Sequence, residues 1–368
     1  MMPLSKGKVT KQARVNIPEG TFEDHHGRQG FAGKYAMLYR THPPVEWTRI
    51  EGPMRPRATR IYDIEPSDLN DPRGEPAVLL QNADIRIGIS RRAEAMPFFV
   101  RNLDGDEVHF IHRGTGRLET DFGPLTYEPG DYLVIPKGTN YRLAPEGPDS
   151  FSLILETTGE IDFPHRGLLG HHAPFDFGML VTPEPAPQTA DAGEYEVRIK
   201  RHGQYTSIFY PFHPLDVVGW QGTLTVFKLN IRDIRSVGSE RIHLPPSMHC
   251  TMIATGITIC TFTPRRFESD PAASRVPAYH RNVDYDEVVF THSGAMFSRT
   301  QEQSGGGILT FHPQGVHHGP SRRAAEAAKQ AEQAEMYAVM VETERSLEPT
   351  AWFEQPEVKD YVESFRAR

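Results

Sequence analysis

The sequence predicts an all-β protein made of two barrels of one ancestry in a single chain. Residues 101–114, RNLDGDEVHFIHRG, match residues 281–294, RNVDYDEVVFTHSG, at an offset of 180, and IPKGTNY (135–141) matches HPQGVHH (312–318) at an offset of 177. A repeat of that period means two copies of one structural unit. Thirty-one glycines and thirty-one prolines in 368 residues cut the chain into short pieces, which suits many short strands.

Taken in order, residues 1–60 carry several prolines and are expected to be irregular, with GFAGKYAMLYRTHPPVEW packing across a barrel or a neighbouring subunit. Residues 61–165 give the first barrel: PAVLL, IRIGIS, EVHFIHRG, DYLVIP and SFSLILET read as strands, separated by turn signals such as DGD, EPGD and PKG. Residues 166–210, with TPEPAPQTADAGEYEV, read as a linker that covers a barrel or crosses to the other. Residues 211–368 give the second barrel, from TLTVFKLNIRDI and CTMIATGITICTF to MYAVMVET. Within it, SRRAAEAAKQAEQAEM (321–336) has the composition of a helix, and its mostly alanine apolar side predicts a short, thinly packed surface insert.

Composition narrows the function. A net charge of −8 without a long basic run argues against nucleic acid as a partner. The first residues, MMPLSKGKVTKQARVN, lack an apolar core, so no signal peptide is expected, and no stretch has the length of a membrane span. Two cysteines, Cys250 and Cys260, cannot staple a domain of this size, and a reducing, cytoplasmic location is expected.

Residues 280–318 carry the chemistry. His280 and Glu287 are seven apart and would face opposite sides of one straight strand. The intervening VDYD is turn-prone, so His280 can end one strand while Glu287 opens the next. Both side chains can then point inward. Glu287 is followed by six residues and Gly294, and Pro313-Gln-Gly315 by two residues and His318. These spacings resemble the two cupin motifs, in which a hairpin brings the ligands to one barrel mouth. The expected architecture is therefore a double-stranded β-helix, duplicated as a bicupin. The usual second histidine of the first motif is Asn282 here, which points to two imidazoles and one carboxylate: His280, Glu287 and His318. Such a triad with open positions suits non-haem iron(II), and manganese can occupy the same set. Asp286 is the rival carboxylate and His317 the rival imidazole. In the first repeat Val100 stands for His280 and Tyr141 for His318. Only Glu107 remains, with His109 two residues on, and a structural role is expected for both.

AYHRNVDYDE and HHGP resemble the iron-binding segments of the homogentisate 1,2-dioxygenase family. GWQGTLTVFKLNI resembles its tryptophan-containing strand, RIHLPPSMHCTMIA the segment of its catalytic histidine, and MLYR an N-terminal motif. The resemblance implies a ring-cleaving dioxygenase with Fe(II) on His280, Glu287 and His318, and His243 as the base that takes a proton from the substrate hydroxyl. It implies homogentisate and dioxygen as reactants, and a homo-oligomer built from trimers, up to a hexamer. Tyr285, in the turn beside the triad, Arg299, as partner of a substrate carboxylate, and His312 and His317, flanking the third ligand, are the candidate substrate contacts. The competing readings are a cupin dioxygenase for another diol, such as gentisate or hydroquinone, and a metal-binding bicupin without activity.

Overall fold

A computed structural model describes residues 4–186, 193–295 and 304–365. The first barrel is two facing sheets. One has seven strands, running in space Phe227–Asn230, Asp131–Ile135, Asp106–Arg113, Phe151–Thr157, Ile85–Ser90, Ala77–Gln81 and Glu348–Pro349. The other has six: Gln204–Tyr210, Tyr195–Arg201, Phe99–Asn102, Asn140–Pro145, Gly116–Thr120 and Gly123–Tyr127. Alternation along these strands drives the arrangement. Val108 and Phe110 turn to one fully buried side, while Glu107 and His109 turn to the other.

The second barrel has a six-stranded sheet ordered Cys250–Ala254, Ile257–Phe262, Tyr337–Thr343, Asp286–Ser293, Ile308–His312 and Arg57–Arg60. A three-stranded sheet of Tyr279–Asn282, Phe22–Gln29 and Ala32–Arg40 packs against it through Phe22, Ala58, Tyr279 and Ile308. The fold is the duplicated cupin, with sheets that stay open rather than closing into a continuous cylinder.

The repeat also explains how the barrels meet. Phe110 packs on Phe290 at 6.1 Å between ring centroids, and His112 Nδ1 lies 2.9 Å from His292 Nδ1. Each is a contact between a residue and its own equivalent 180 positions on, as expected where a pseudo-two-fold axis crosses the junction. One apolar cluster, including Phe110, Tyr132, Val288, Phe290 and Val339, runs through both barrels.

Several local expectations change. Residues 1–60 are not all irregular: Phe22–Gln29 and Ala32–Arg40 form a hairpin whose first strand pairs in parallel with Tyr279–Asn282. That pairing joins residues 255 positions apart, such as Asp24 and Tyr279, so local pattern gives no hint of it. The 166–210 linker ends in the strand Tyr195–Arg201, hairpinned to Gln204–Tyr210 and parallel to Phe99–Asn102. The barrels also trade strands. Arg57–Arg60 pairs with Ile308–His312, while Phe227–Asn230 and Glu348–Pro349 pair into the first barrel's sheet. The helix is shorter than its composition suggests, Arg322–Gln330, capped by the Ser321 hydroxyl and buried only at Ala324 and Ala328. No helix among the described residues is long and apolar enough to cross a membrane.

Candidate metal centre

His280, Glu287 and His318 come together, each buried, with one donor atom from each within 4.8 Å of the others. The turn through Val283–Tyr285 separates the two strands as the spacing requires, placing His280 on Tyr279–Asn282 and Glu287 at the start of Asp286–Ser293. His318 is held from the other side. Its backbone N–H donates to the His280 carbonyl at 2.9 Å, and the His280 N–H donates back at 3.0 Å. Gly315, at φ +75°, makes the turn that delivers it, and its N–H donates to the Asn282 carbonyl at 2.8 Å.

Both imidazoles are oriented by the same local device. His280 Nδ1 donates to the Ala278 carbonyl at 2.9 Å, and His318 Nδ1 donates to the Val316 carbonyl at 3.2 Å. Each Nε2 lone pair is therefore turned to the common centre, and neither Nε2 has a hydrogen-bond partner. A backbone acceptor on one ring nitrogen is the usual support for a histidine that binds metal through the other. Glu287 Oε1 accepts from His312 Nδ1 at 2.8 Å, and His312 Nε2 accepts from the Tyr361 hydroxyl at 2.9 Å. Glu287 Oε1 is 3.5 Å from His318 Nε2, and Oε2 is 3.8 Å from His280 Nε2. Two buried, unpartnered lone pairs facing a carboxylate fit a divalent cation. Unfilled, each costs about 1–3 kcal/mol.

Electrostatics agree with that donor set. Burial alone would raise the Glu287 carboxyl, but His318, His280 and His312 bring it well below the usual range. Burial, then the neighbouring imidazole, lowers His280, so both rings stay neutral. Glu342, opposite Glu287 on the next strand, is pushed by burial and by Glu287 up to about 8. Both causes disfavour a second negative charge beside Glu287. The rival carboxylate, Asp286, is occupied elsewhere: it accepts from the backbone N–H groups of Gln314 and Leu347 at 2.7 and 2.6 Å.

A cavity of about 110 Å³ opens on this centre, walled by Phe262, Val289, Met336 and Met340 and lined also by His243 and Arg265. It approaches the size of pockets that hold a single benzene ring, on the order of 150 Å³. His243 reaches it from the RIHLPPS segment. Its Nδ1 lies 3.2 Å from Glu268 Oε1, and Arg265 Nη2 lies within 3.4 Å of both ring nitrogens. Burial brings His243 down to about 4, against the opposing pull of Glu268.

The remaining candidates divide. His312 lines the cavity but is bound to Glu287 and Tyr361. Tyr285 does not line it; its hydroxyl donates to Glu344 Oε1 at 3.1 Å, because the turn carries the ring away from the cavity. His317 does not line it either; strand-like alternation next to His318 sends it outward, to Asp24 Oδ2 at 3.1 Å. Arg299 lies outside the described residues. Sequence reasoning missed Tyr361, Glu268, Arg265 and Phe31, whose ring lies 4.7 Å from that of His280. Only Arg265 and Glu268 offered a signal, as a charged pair three apart just beyond the CTMIATGITICTF strands.

A family model described as homogentisate 1,2-dioxygenase N-terminal matches residues 80–231. A Saccharolobus solfataricus protein with the provisional name of dioxygenase is 31% identical over 346 residues, covering 88% of this chain and 87% of that one. The homogentisate 1,2-dioxygenase of Bradyrhizobium diazoefficiens is 29% identical over 239 residues, 63% of this chain and 53% of the other. The chain thus spans about half the length of that enzyme. Among solved structures, a cupin 2 conserved barrel domain protein from Leptotrichia buccalis aligns over 74% of this chain and 89% of its own, with 12% identity and a TM-score of 0.32. Ylba from E. coli aligns over 81% and 95%, with 8% identity and a TM-score of 0.38.

Proposed function

The chain belongs to the homogentisate 1,2-dioxygenase family, and from that premise we propose an iron(II)-dependent, extradiol-type dioxygenase that opens a hydroquinone-type ring, homogentisate to maleylacetoacetate in tyrosine and phenylalanine catabolism. One observation carries the reading: two buried imidazole nitrogens without partners face one carboxylate at the floor of an apolar slot. His280, Glu287 and His318 would hold the ion, and two nitrogens with one oxygen suit iron(II) as they suit manganese. When bound, the ion supplies a Lewis-acid and one-electron centre at which an aromatic diol and dioxygen meet.

The chain's own residues do the rest. Phe262, Val289, Met336 and Met340 clasp a flat ring and keep water out. His243, unprotonated at neutral pH, accepts the hydroxyl proton, and buried Glu268 steadies the imidazolium that forms. His312, anchored by Tyr361, keeps Glu287 turned to the centre. The enzyme would work in the cytoplasm as a trimer-based homo-oligomer.

A second reading has its own support. Arg265 is the cation among the described residues lining the slot, and it is already 3.3 Å from Glu268. A simple hydroquinone, with no acid arm to place, fits that pairing better than homogentisate or gentisate. Anaerobic protein loaded with Fe(II) and given each of the three in turn, with oxygen uptake and ring-opened absorbance recorded, decides. Uptake of about one dioxygen per ring with one substrate supports the activity and names the substrate. Metal-loaded protein that consumes no oxygen with any diol overturns it.

A further inference from the structure

The first barrel has a cavity where the second has its metal centre, and it is larger, about 320 Å³ against about 110 Å³. Val100, Glu107 and Tyr141, the repeat equivalents of His280, Glu287 and His318, all line it. The space left by two missing histidines has been kept rather than packed shut.

Its interior holds polar groups without a close hydrogen bond. His109 is 2% exposed and neither ring nitrogen makes one, its Nε2 lying 3.8 Å from Glu107 Oε1; Glu107 is 7% exposed and its Oε2 has no hydrogen bond; Arg92 Nε is likewise unmatched. Each such group costs about 1–3 kcal/mol. The cations around the cavity are otherwise engaged. Arg86 sits 3.0 Å from Glu156, Lys200 pairs with the same carboxylate, and Arg198 is 3.0 Å from Glu196. The Arg92 guanidinium donates to the Pro72 and Gly74 carbonyls at 2.6 and 2.8 Å.

What remains unmatched is one carboxylate acceptor, one imidazole that both donates and accepts, and one N–H. An anion offers only acceptors and would face Glu107. An ammonium offers only donors and would leave the His109 and Arg92 hydrogens unmet. A hydroxyl does both. Met96, Phe98 and Leu143, with Ile154 beside His109 on the next strand, give the cavity apolar lining that suits the face of a ring, and Glu75, Pro76 and Tyr205 line it as exposed residues.

We propose that the first barrel binds a small ring compound bearing adjacent hydroxyls, one donated to Glu107 and its neighbour hydrogen-bonded to His109. The chemistry is shared by monosaccharides and by diphenols, and the test separates them. Metal-free full-length protein carrying Glu287→Ala, which removes the second barrel's ligand set, is titrated calorimetrically with catechol, glucose and myo-inositol. The expected result is saturable binding in either the phenol arm or the sugar arm, weakened tenfold or more by a further Glu107→Ala or His109→Leu. No saturable heat in either arm, or heat unchanged in both folded variants, overturns the proposal. Should those variants fail to fold, the imidazole resonances of His109 in the Glu287→Ala protein decide: a ligand-dependent shift supports the site and none overturns it. The outcome is independent of the dioxygenase reading.

Discussion

His280 and His318 each donate from Nδ1 to the carbonyl two residues earlier, so one strand-compatible device presents both Nε2 atoms. His243, by contrast, has an acid and a guanidinium at its ring and no role in holding a cation. His243→Ala should therefore keep bound iron and lose turnover by about 100- to 10,000-fold; unchanged turnover in metal-replete protein would reduce His243 to a packing residue. Tyr361 acts one step further out, through His312 on Glu287. Tyr361→Phe should weaken metal affinity about tenfold, read by competition with a chelator, with little change in thermal stability. The triad was legible because motif spacing is local. Tyr361 was not, since it is 49 residues from His312 and nothing around it signals a link. Tyr285 and His317 stood beside the triad in sequence, but turn direction and strand alternation send both away.

The hairpin of Phe22–Gln29 and Ala32–Arg40 does the most for the centre among the elements that local pattern concealed. It pairs in parallel with the strand of His280, with His25 opposite His280, and lays Phe31 against the His280 ring. Phe31→Ala should leave the sheets intact by circular dichroism yet speed metal loss to a chelator about tenfold, the usual scale for supports just outside a ligand shell. An unchanged release rate would make the hairpin a cover only. The strands bearing Glu107 and Glu287 were readable because each is a short, largely apolar run bounded by turn residues and each repeats the other. The traded strands were not, because their pairing depends on partners from about 100 to about 250 residues away.

The whole molecule is tied at its pseudo-two-fold junction, where one apolar cluster crosses both barrels. Phe290→Ala should cost about 3–5 kcal/mol and still give a single urea transition; two separated transitions would show that the barrels unfold apart. The junction and the site region also bury neutral histidines. Burial lowers His112 to about 3 and His25, His243, His249 and His292 to about 4. Below about pH 6.5 the unfolded chain takes up protons that these folded rings refuse. Their contribution is therefore full above pH 6.5 and is lost as pH falls toward 4. The thermal midpoint should drop across that window, and less steeply in His112→Leu; equal slopes would remove the junction pair from the account.

Metal content per chain in wild type and Glu287→Ala, measured after Fe(II) loading and exhaustive dialysis, tests most directly where the ion sits. About one ion in the wild type and almost none in the folded variant is the expected result. Equal iron in both proteins would contradict the assignment of His280, Glu287 and His318 as the centre.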